Sequence, residues 1–195
     1  MIVLASTSAS RRAMLTAAGV AHEALPAHVD EDAVKAAMGE VAPRDLADAL
    51  AELKALKISA RVPGTLVLGG DSVVAIEDGT LLDKPTSREE AARHLRLLSG
   101  KRHDLYSAAV IAENGQPVWR HVDRARLWVR PLSESFIAQY LDAEWPAISG
   151  CVGCYRVEGP GVQLFSRVEG SHYTILGMPL LNILDYLRTR GVLTS

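Results

Sequence analysis

Met1 to Leu15, MIVLASTSASRRAML, is the stretch on which the reading of this chain turns. Ile2, Val3 and Leu4 form a short apolar run, the mark of a buried strand. Ser6, Thr7, Ser8 and Ser10 follow as a hydroxyl-rich loop, then Arg11 and Arg12, and Ala13, Met14 and Leu15 open a helical pattern. A strand that runs through such a loop into a helix outlines an anion site, because amide and hydroxyl donors converge where the helix start favours negative charge. Two arginines there oppose the helix dipole, which prefers acids. A bound anion, phosphate above all, would offset that opposition. The same residues also read as a serine-rich turn with two solvated arginines.

Composition bounds the rest. A chain of 195 residues suffices for one domain, or one domain with a lobe. At 48% hydrophobic residues it has the material for a core, which disfavours disorder. The net charge is −2 and no run of Lys or Arg exceeds two residues, so neither nucleic acid nor a membrane surface is the expected partner. No apolar stretch has the length of a membrane span, and the start lacks the basic and apolar regions of a secretory signal. A cytoplasmic location is the expectation. Cys151 and Cys154 form CVGC, which matches CxxC, but no second CxxC or HxxxH completes a zinc set. A thioredoxin-like redox pair lacks supporting context, and the preferred reading is small residues packed in a Gly-rich strand region.

Helices and strands alternate along the chain. A helix is predicted over Arg11–Ala18, ended by Gly19, and a strand over His22–Ala27. Pro43 opens a long helix to about Ser59 with Leu46, Leu50, Leu53 and Leu56 on its apolar face. Gly64–Gly69 reads as a short strand, and Val73–Ile76 with Thr80–Leu82 as a hairpin. Ser87 and Glu90 cap a helix to Leu98. Arg102–Ala112 and Pro117–Arg130 flank Asn114-Gly115, a strong hairpin signal. Ser133 caps a helix to about Ala143. Gly150–Val157 and Gly161–Val168 read as a strand pair, and Pro179 starts a last helix ending near Gly191. No repeat or linker appears, so the fold class is α/β with a mixed sheet rather than a doubly wound parallel one.

Chemistry has several carriers. Gly69-Gly70-Asp71-Ser72 follows an apolar strand, which sets a carboxylate at a strand end, and the glycines allow a ligand close to the backbone. Lys84-Pro85 follows the hairpin. Lys54 lies on the long helix, off its leucine face. Asp30, Glu31 and Asp32 cluster in a loop. Acids, lysines and an arginine-bearing phosphate loop together describe a polyphosphate site with a divalent metal. Taken singly, Glu31 reads as a solvated acid, and Lys54 and Lys84 as surface lysines.

Six motifs in order give these residues a common frame. LASTSASRRAML resembles LASxSPRRxxLL, LAELKA at Leu50–Ala55 resembles LAxxKA, and LGGDSVV at Leu68–Val74 resembles xGADTVV. LDKP at Leu82–Pro85 resembles GKP, LLSGKRHDLYSAAVI resembles LSGxxHxVYTxVxL, and VEGPGVQLFSRVEGSHYTILGMPL resembles a block ending in VxGLPL. The family so resembled is the Maf family of nucleoside triphosphate pyrophosphatases. The likeness covers nearly the whole chain. It implies a Maf/ITPase-like α/β fold, a mixed sheet with flanking helices and a central cleft, built as a single domain, 1–195, with room for two lobes around the cleft.

The resemblance also implies an activity: hydrolysis of a nucleoside triphosphate to monophosphate and diphosphate with a divalent metal, Mg or Mn, as house-cleaning of nucleotide pools. Asp71 stands at the position of the family's general base. Ser6 and Arg11 match the phosphate loop, Lys54 and Lys84 match lysines that stabilise phosphate charge, and Glu31 matches the acid linked to the metal. The implied partner is the triphosphate, with a homodimer as an option. Ala9, Gly70, Ser72 and Asp83 replace the family's Pro, Ala, Thr and Gly. AISGCVGCYRVEG stands where the subgroup acting on dTTP and UTP has DKAGAYGIQG, so Glu158 replaces Gln. Glu158 resembles the subgroup acting on 7-methyl-GTP, since a carboxylate accepts two hydrogen bonds from a guanine edge. That subgroup carries Trp at Ser10 and Gln at Ser72, so these two positions with Glu158 are the expected base contacts. Two other classes are a non-catalytic nucleotide-binding regulator of cell division and a redox or metal protein built on the two cysteines.

Overall fold

The computed structural model describes residues 1–194. In chain order the elements are β1 (Ile2–Leu4), α1 (Ala9–Ala17), β2 (His22–Ala24), α2 (Glu31–Met38), α3 (Pro43–Ser59), β3 (Val67–Ile76), β4 (Leu81–Leu82), α4 (Arg88–Leu98), β5 (Arg102–Glu113), β6 (Gln116–Val129), α5 (Glu134–Glu144), two short 3-10 turns (Ala147–Gly150 and Pro160–Leu164), β7 (Phe165–Glu169), α6 (His172–Ile175) and α7 (Leu180–Thr189).

The seven strands form one mixed sheet in the order β2-β1-β3-β5-β6-β7, with β4 added beside β3. β1 runs parallel to both β2 and β3, while β3–β4 and β6–β7 are antiparallel. The expected α/β class with a mixed sheet is what the chain forms. β1 is a central parallel strand, and its alternation shows why it must be apolar throughout: Ile2 and Leu4 enter one core cluster with Leu15, Ile111 and Ile183, while Val3 and Ala5 enter another with Ile58 and Val67.

The chain divides into two compact units. The first comprises Met1–Ser72, Tyr106–Asp123 and the chain from His172 onward. It contains both of those core clusters. The second comprises Val73–Leu105 and Arg124–Ser171. In it α4 packs against α5, and Ala91, Leu95 and Leu98 of α4 and Ile137 and Leu141 of α5 are buried.

Several local expectations change. α1 starts at Ala9, earlier than predicted, because Ser8 is its N-cap. β2 stops at Ala24. Asp30 and Glu31 are not in a loop: Asp30 caps α2, accepting from the Ala33 amide, and Glu31 is in its first turn. The buried stripe of α3 runs through Leu46, Ala47, Leu50, Ala51, Ala55 and Ile58, while Leu53 is exposed. Small residues define that face because α3 lies backbone-close to β3. A Cβ on Gly69 would stand 2.2 Å from the Ala51 carbonyl oxygen and 2.6 Å from the Ala55 nitrogen.

The same approach explains a larger change. β3 does not stop at Gly69 and resume at Val73; it continues through both glycines, so Asp71 sits in mid-strand rather than at a strand end. Glycine weakens a strand on propensity alone, but here it marks places where helix backbone and a guanidinium come close. The 150–157 segment is not a strand either. Cys154 donates its amide to the Cys151 carbonyl in a turn, with Gly153 and Cys154 both at positive φ (84° and 61°), a conformation that no extended strand accommodates.

Candidate active site

Everything that assembles this site lies in the first unit. Parallel pairing of β1 with β3 extends beyond Leu4, where the Ala5 amide donates to the Leu68 carbonyl at 2.8 Å. The loop after β1 therefore runs beside the Gly69–Ser72 stretch of β3. Ser6 Oγ accepts from the Ser8 amide, and Ser8 Oγ accepts from the Arg11 amide at the start of α1. The serines thus shape the loop before they meet any ligand.

Asp71 and Lys54 face each other across the α3–β3 contact that Gly69 permits. Lys54 Nζ donates to Asp71 Oδ1 at 2.6 Å and lies 2.6 Å from Glu31 Oε1. The side chains of Lys54, Asp71 and Glu31 are 12%, 8% and 32% exposed, so the ammonium is held between two carboxylates largely out of water. Lys54 lies at i+4 from buried Leu50 and i+3 from buried Ala51, on the flank of the buried stripe rather than on the outer face. Burial raises the Asp71 pKa above the ordinary carboxylate value, against the pull of Lys54 and Arg11, and the neighbouring Glu31 charge adds to the rise. A carboxylate so placed is a stronger base than one in water.

Arg11 completes the cluster. Its Nε donates to the Gly177 carbonyl at 2.9 Å, Nη2 to Ser72 Oγ at 3.0 Å, and Nη1 to Ser6 Oγ at 3.5 Å. Burial lowers its pKa, opposed by the charges of Asp71 and Glu31. A guanidinium nevertheless keeps its proton in a protein. Gly177 has φ +113°, a backbone that calls for glycine, and a Cβ there would be in van der Waals contact with Arg11 Nε at 3.4 Å. Ser10 Oγ donates to the Leu176 carbonyl at 3.0 Å. Sequence reasoning missed this carbonyl-bearing stretch, Thr174 to Gly177, because main-chain acceptors leave no trace in side-chain patterns.

Lys84 and Glu158 belong to the second unit. There both act electrostatically on Cys151, alongside Arg156 and Glu144. Arg156 makes a two-pronged pair with the buried Glu144, Nε and Nη2 at 2.9 and 3.1 Å. The two cysteines are free thiols. Burial raises the Cys154 thiol to about 12 and also raises Cys151, and Cys154 Sγ lies 3.4 Å from His94 Nδ1. Such thiols are poor nucleophiles and poor metal ligands. Among the described residues no group of three or more His, Cys, Asp or Glu is arranged to hold a metal by itself.

A mixed α/β sheet that buries a carboxylate among an ammonium and a guanidinium defines an anion-handling enzyme scaffold. Comparison narrows the class. The family profile described as Maf-like protein matches residues 1–190, and the chain belongs to that family. It is 53% identical over 193 residues to a protein of Sphingopyxis alaskensis named nucleoside triphosphate pyrophosphatase, covering 98% of each chain. A protein of Jannaschia sp. named nucleoside triphosphate pyrophosphatase 1 is 51% identical over 98% of this chain and 97% of its own. A nucleoside triphosphate pyrophosphatase of Caulobacter vibrioides is 48% identical, with coverage of 99% and 97%. A solved structure of a HAM1 protein from Coxiella burnetii overlaps 66% of this chain and 72% of its own at TM-score 0.42 and 15% identity, a likeness too remote to bear on the site. No helix among the described residues is long and apolar enough to cross a membrane.

Proposed function

We propose that this protein is a nucleoside triphosphate pyrophosphatase, a hydrolase that converts a triphosphate to monophosphate and diphosphate. One observation carries the reading beyond kinship. The chain holds a buried Asp71–Lys54–Glu31 cluster within electrostatic reach of Arg11 at a strand–loop–helix anion site. In the proposed reaction Asp71 takes a proton from the water that attacks the α-phosphorus. The bond from that phosphorus to the bridging oxygen breaks, and diphosphate leaves as a single group. Arg11 and Lys54 balance the negative charge that grows on the phosphoryl oxygens. Ser6 shapes the loop that receives the phosphates. Lys84 is assigned phosphate charge, and Glu158 with Ser10 and Ser72 base selection, on the family motifs rather than on geometry.

The donor set suits a divalent cation. Glu31 and Asp71 already converge on one positive charge. Two carboxylates are what a Mg or Mn ion asks of a protein when phosphate oxygens and water fill the rest of its shell. Glu31 would hold it, and when bound it would neutralise phosphate charge. Product analysis tests the reading: purified protein with Mg and a panel of canonical and modified triphosphates should release diphosphate and monophosphate in equal amounts. Orthophosphate with a nucleoside diphosphate would refute it, and no turnover at all would favour a binding module.

A 7-methyl-GTP-like preference over dTTP and UTP is the finer proposal, resting on Glu158 as acceptor for a donor-rich base edge. Removing a matched partner in a closed pocket changes relative rate about ten- to a hundredfold. Glu158→Gln should therefore shift the kcat/KM ratio from 7-methyl-GTP toward UTP. An unchanged ratio would take Glu158 out of base selection.

A further inference from the structure

Ser107 is wholly buried on β5, and none of the site motifs assigns it a role. Its hydroxyl donates to the Thr174 carbonyl at 2.8 Å and lies 3.0 Å from Ser72 Oγ. A hydroxyl has one proton to give. With that proton committed to Thr174, Ser107 Oγ can only accept from Ser72. Ser72 then gives its own proton to Ser107 and turns its lone pairs to Arg11 Nη2, 3.0 Å away. The chain of bonds thus has one direction, from Arg11 through Ser72 and Ser107 to the carbonyl of Thr174.

Without Ser107, the other acceptor recorded for Ser72 is the Gly177 carbonyl, at 3.4 Å. That carbonyl already accepts from Arg11 Nε at 2.9 Å. Redirecting Ser72 there would set it in competition with the guanidinium it now supports. Thr174 itself is anchored by its side chain, whose Oγ1 donates to Asp123 at 2.6 Å. With Nε and one N–H of each terminal nitrogen engaged, Arg11 keeps one N–H on each terminal nitrogen for an anion. Their direction depends on the plane in which the guanidinium is held.

We infer that Ser107 is a positioning residue that orders the Ser72 hydroxyl and thereby presets the Arg11 guanidinium for phosphate. The inference rests on the phosphate-handling role proposed for Arg11 and deepens it. Two readouts are used: KM and kcat for the preferred triphosphate and, independent of the activity, the Kd for inorganic tripolyphosphate by calorimetry, which requires no turnover. Ser107→Ala should weaken tripolyphosphate about tenfold, the scale of one lost hydrogen bond to a charged group, and lower kcat/KM for the triphosphate by at least as much. Ser107→Thr, which keeps the hydroxyl, should return both to within about twofold. Because Ser107 acts through Ser72, the double variant Ser72→Ala/Ser107→Ala should lose no more than Ser72→Ala alone. Should Ser107→Ala not fold, Ser72→Ala carries the test with the same expected loss.

An unchanged Kd in a folded Ser107→Ala or Ser72→Ala, additive losses in the double variant, or no tripolyphosphate binding by the unchanged protein would overturn the inference. Tripolyphosphate binding without diphosphate release from any triphosphate would instead sink the proposed activity, leaving the Kd series to judge Ser107.

Discussion

The two units bury ionisable groups in opposite ways. In the first, Asp71, Lys54 and Arg11 are withdrawn from water as charges and answer one another within the cluster completed by Glu31. In the second, apart from Glu144, which is paired with Arg156, burial holds the groups neutral. The His103 pKa falls to about 4, the Cys154 thiol rises to about 12, and Tyr140 and Tyr155 are pushed up as well. Several of their polar atoms find neutral partners: His103 Nε2 lies 2.8 Å from the Tyr155 hydroxyl, and Tyr140 donates to the Cys154 carbonyl at 3.1 Å, while His103 Nδ1 is buried without a partner among the described residues. Burying charge is costly even when paired, and replacing such pairs by apolar residues is often harmless to a fold. Retaining them in one unit therefore points to chemistry, whereas neutral burial in the other is consistent with packing.

The sharpest way to break that contrast is at Asp71. Asp71→Asn keeps shape but cannot take a proton, and turnover should fall about a thousandfold, within the range for losing a general base. Near-normal turnover would remove the base role. The same variant reports on burial. Because the folded pKa of Asp71 is raised, its stabilising contribution is full at low pH and is lost as pH rises through the folded value. Asp71→Asn should accordingly be no less stable than the unchanged protein at neutral pH, read by its Tm. A marked drop would mean that the Lys54 contact dominates over burial.

His103 supplies the opposite slope. Its folded pKa of about 4 lies below the ordinary 6.5, so the unfolded chain takes up a proton that the folded one refuses. Stability is then lost as pH falls from about 6.5 toward 4, by about 3 kcal/mol at roughly 1.4 kcal/mol per pH unit. Denaturant titrations across that window should show the slope, and His103→Gln should flatten it. A slope unaltered by His103→Gln would shift the effect to His94, whose pKa burial also lowers.

Gly69→Ala carries the comparison back to geometry. The added methyl meets main chain of α3, so the helix must move, at a cost of about 1–3 kcal/mol for overpacking. The Lys54–Asp71 contact should loosen with it, lowering kcat while Tm drops. A variant of unchanged Tm and activity would show that α3 shifts freely. The smallest effect is expected at the thiols. Cys151→Ser with Cys154→Ser should leave turnover within about twofold, since high thiol pKa values fit packing rather than reaction. A large loss in a folded protein would revive a redox or metal role.

Strand, loop and helix over the first fifteen residues were legible because their signals are local: an apolar run, a hydroxyl-rich loop, and a periodic helix. The turn at Asn114-Gly115 was legible for the same reason, both residues taking the positive φ that their side chains tolerate. So were the residue types of the site, since an anion needs cations and a base needs a carboxylate. Tertiary structure decided how they meet. Local propensity breaks a strand at Gly69-Gly70, yet the helix lying against Gly69 makes that pair the middle of β3 and brings Lys54 onto Asp71. Glu31 reads as a loop acid until Asp30 caps α2 and sets it beside Lys54. Arg11 is oriented by the Gly177 carbonyl, 166 residues away, and by a hydroxyl whose own proton is directed by Ser107. Main-chain acceptors and hydroxyl direction depend on long-range placement, which no local window of sequence encodes.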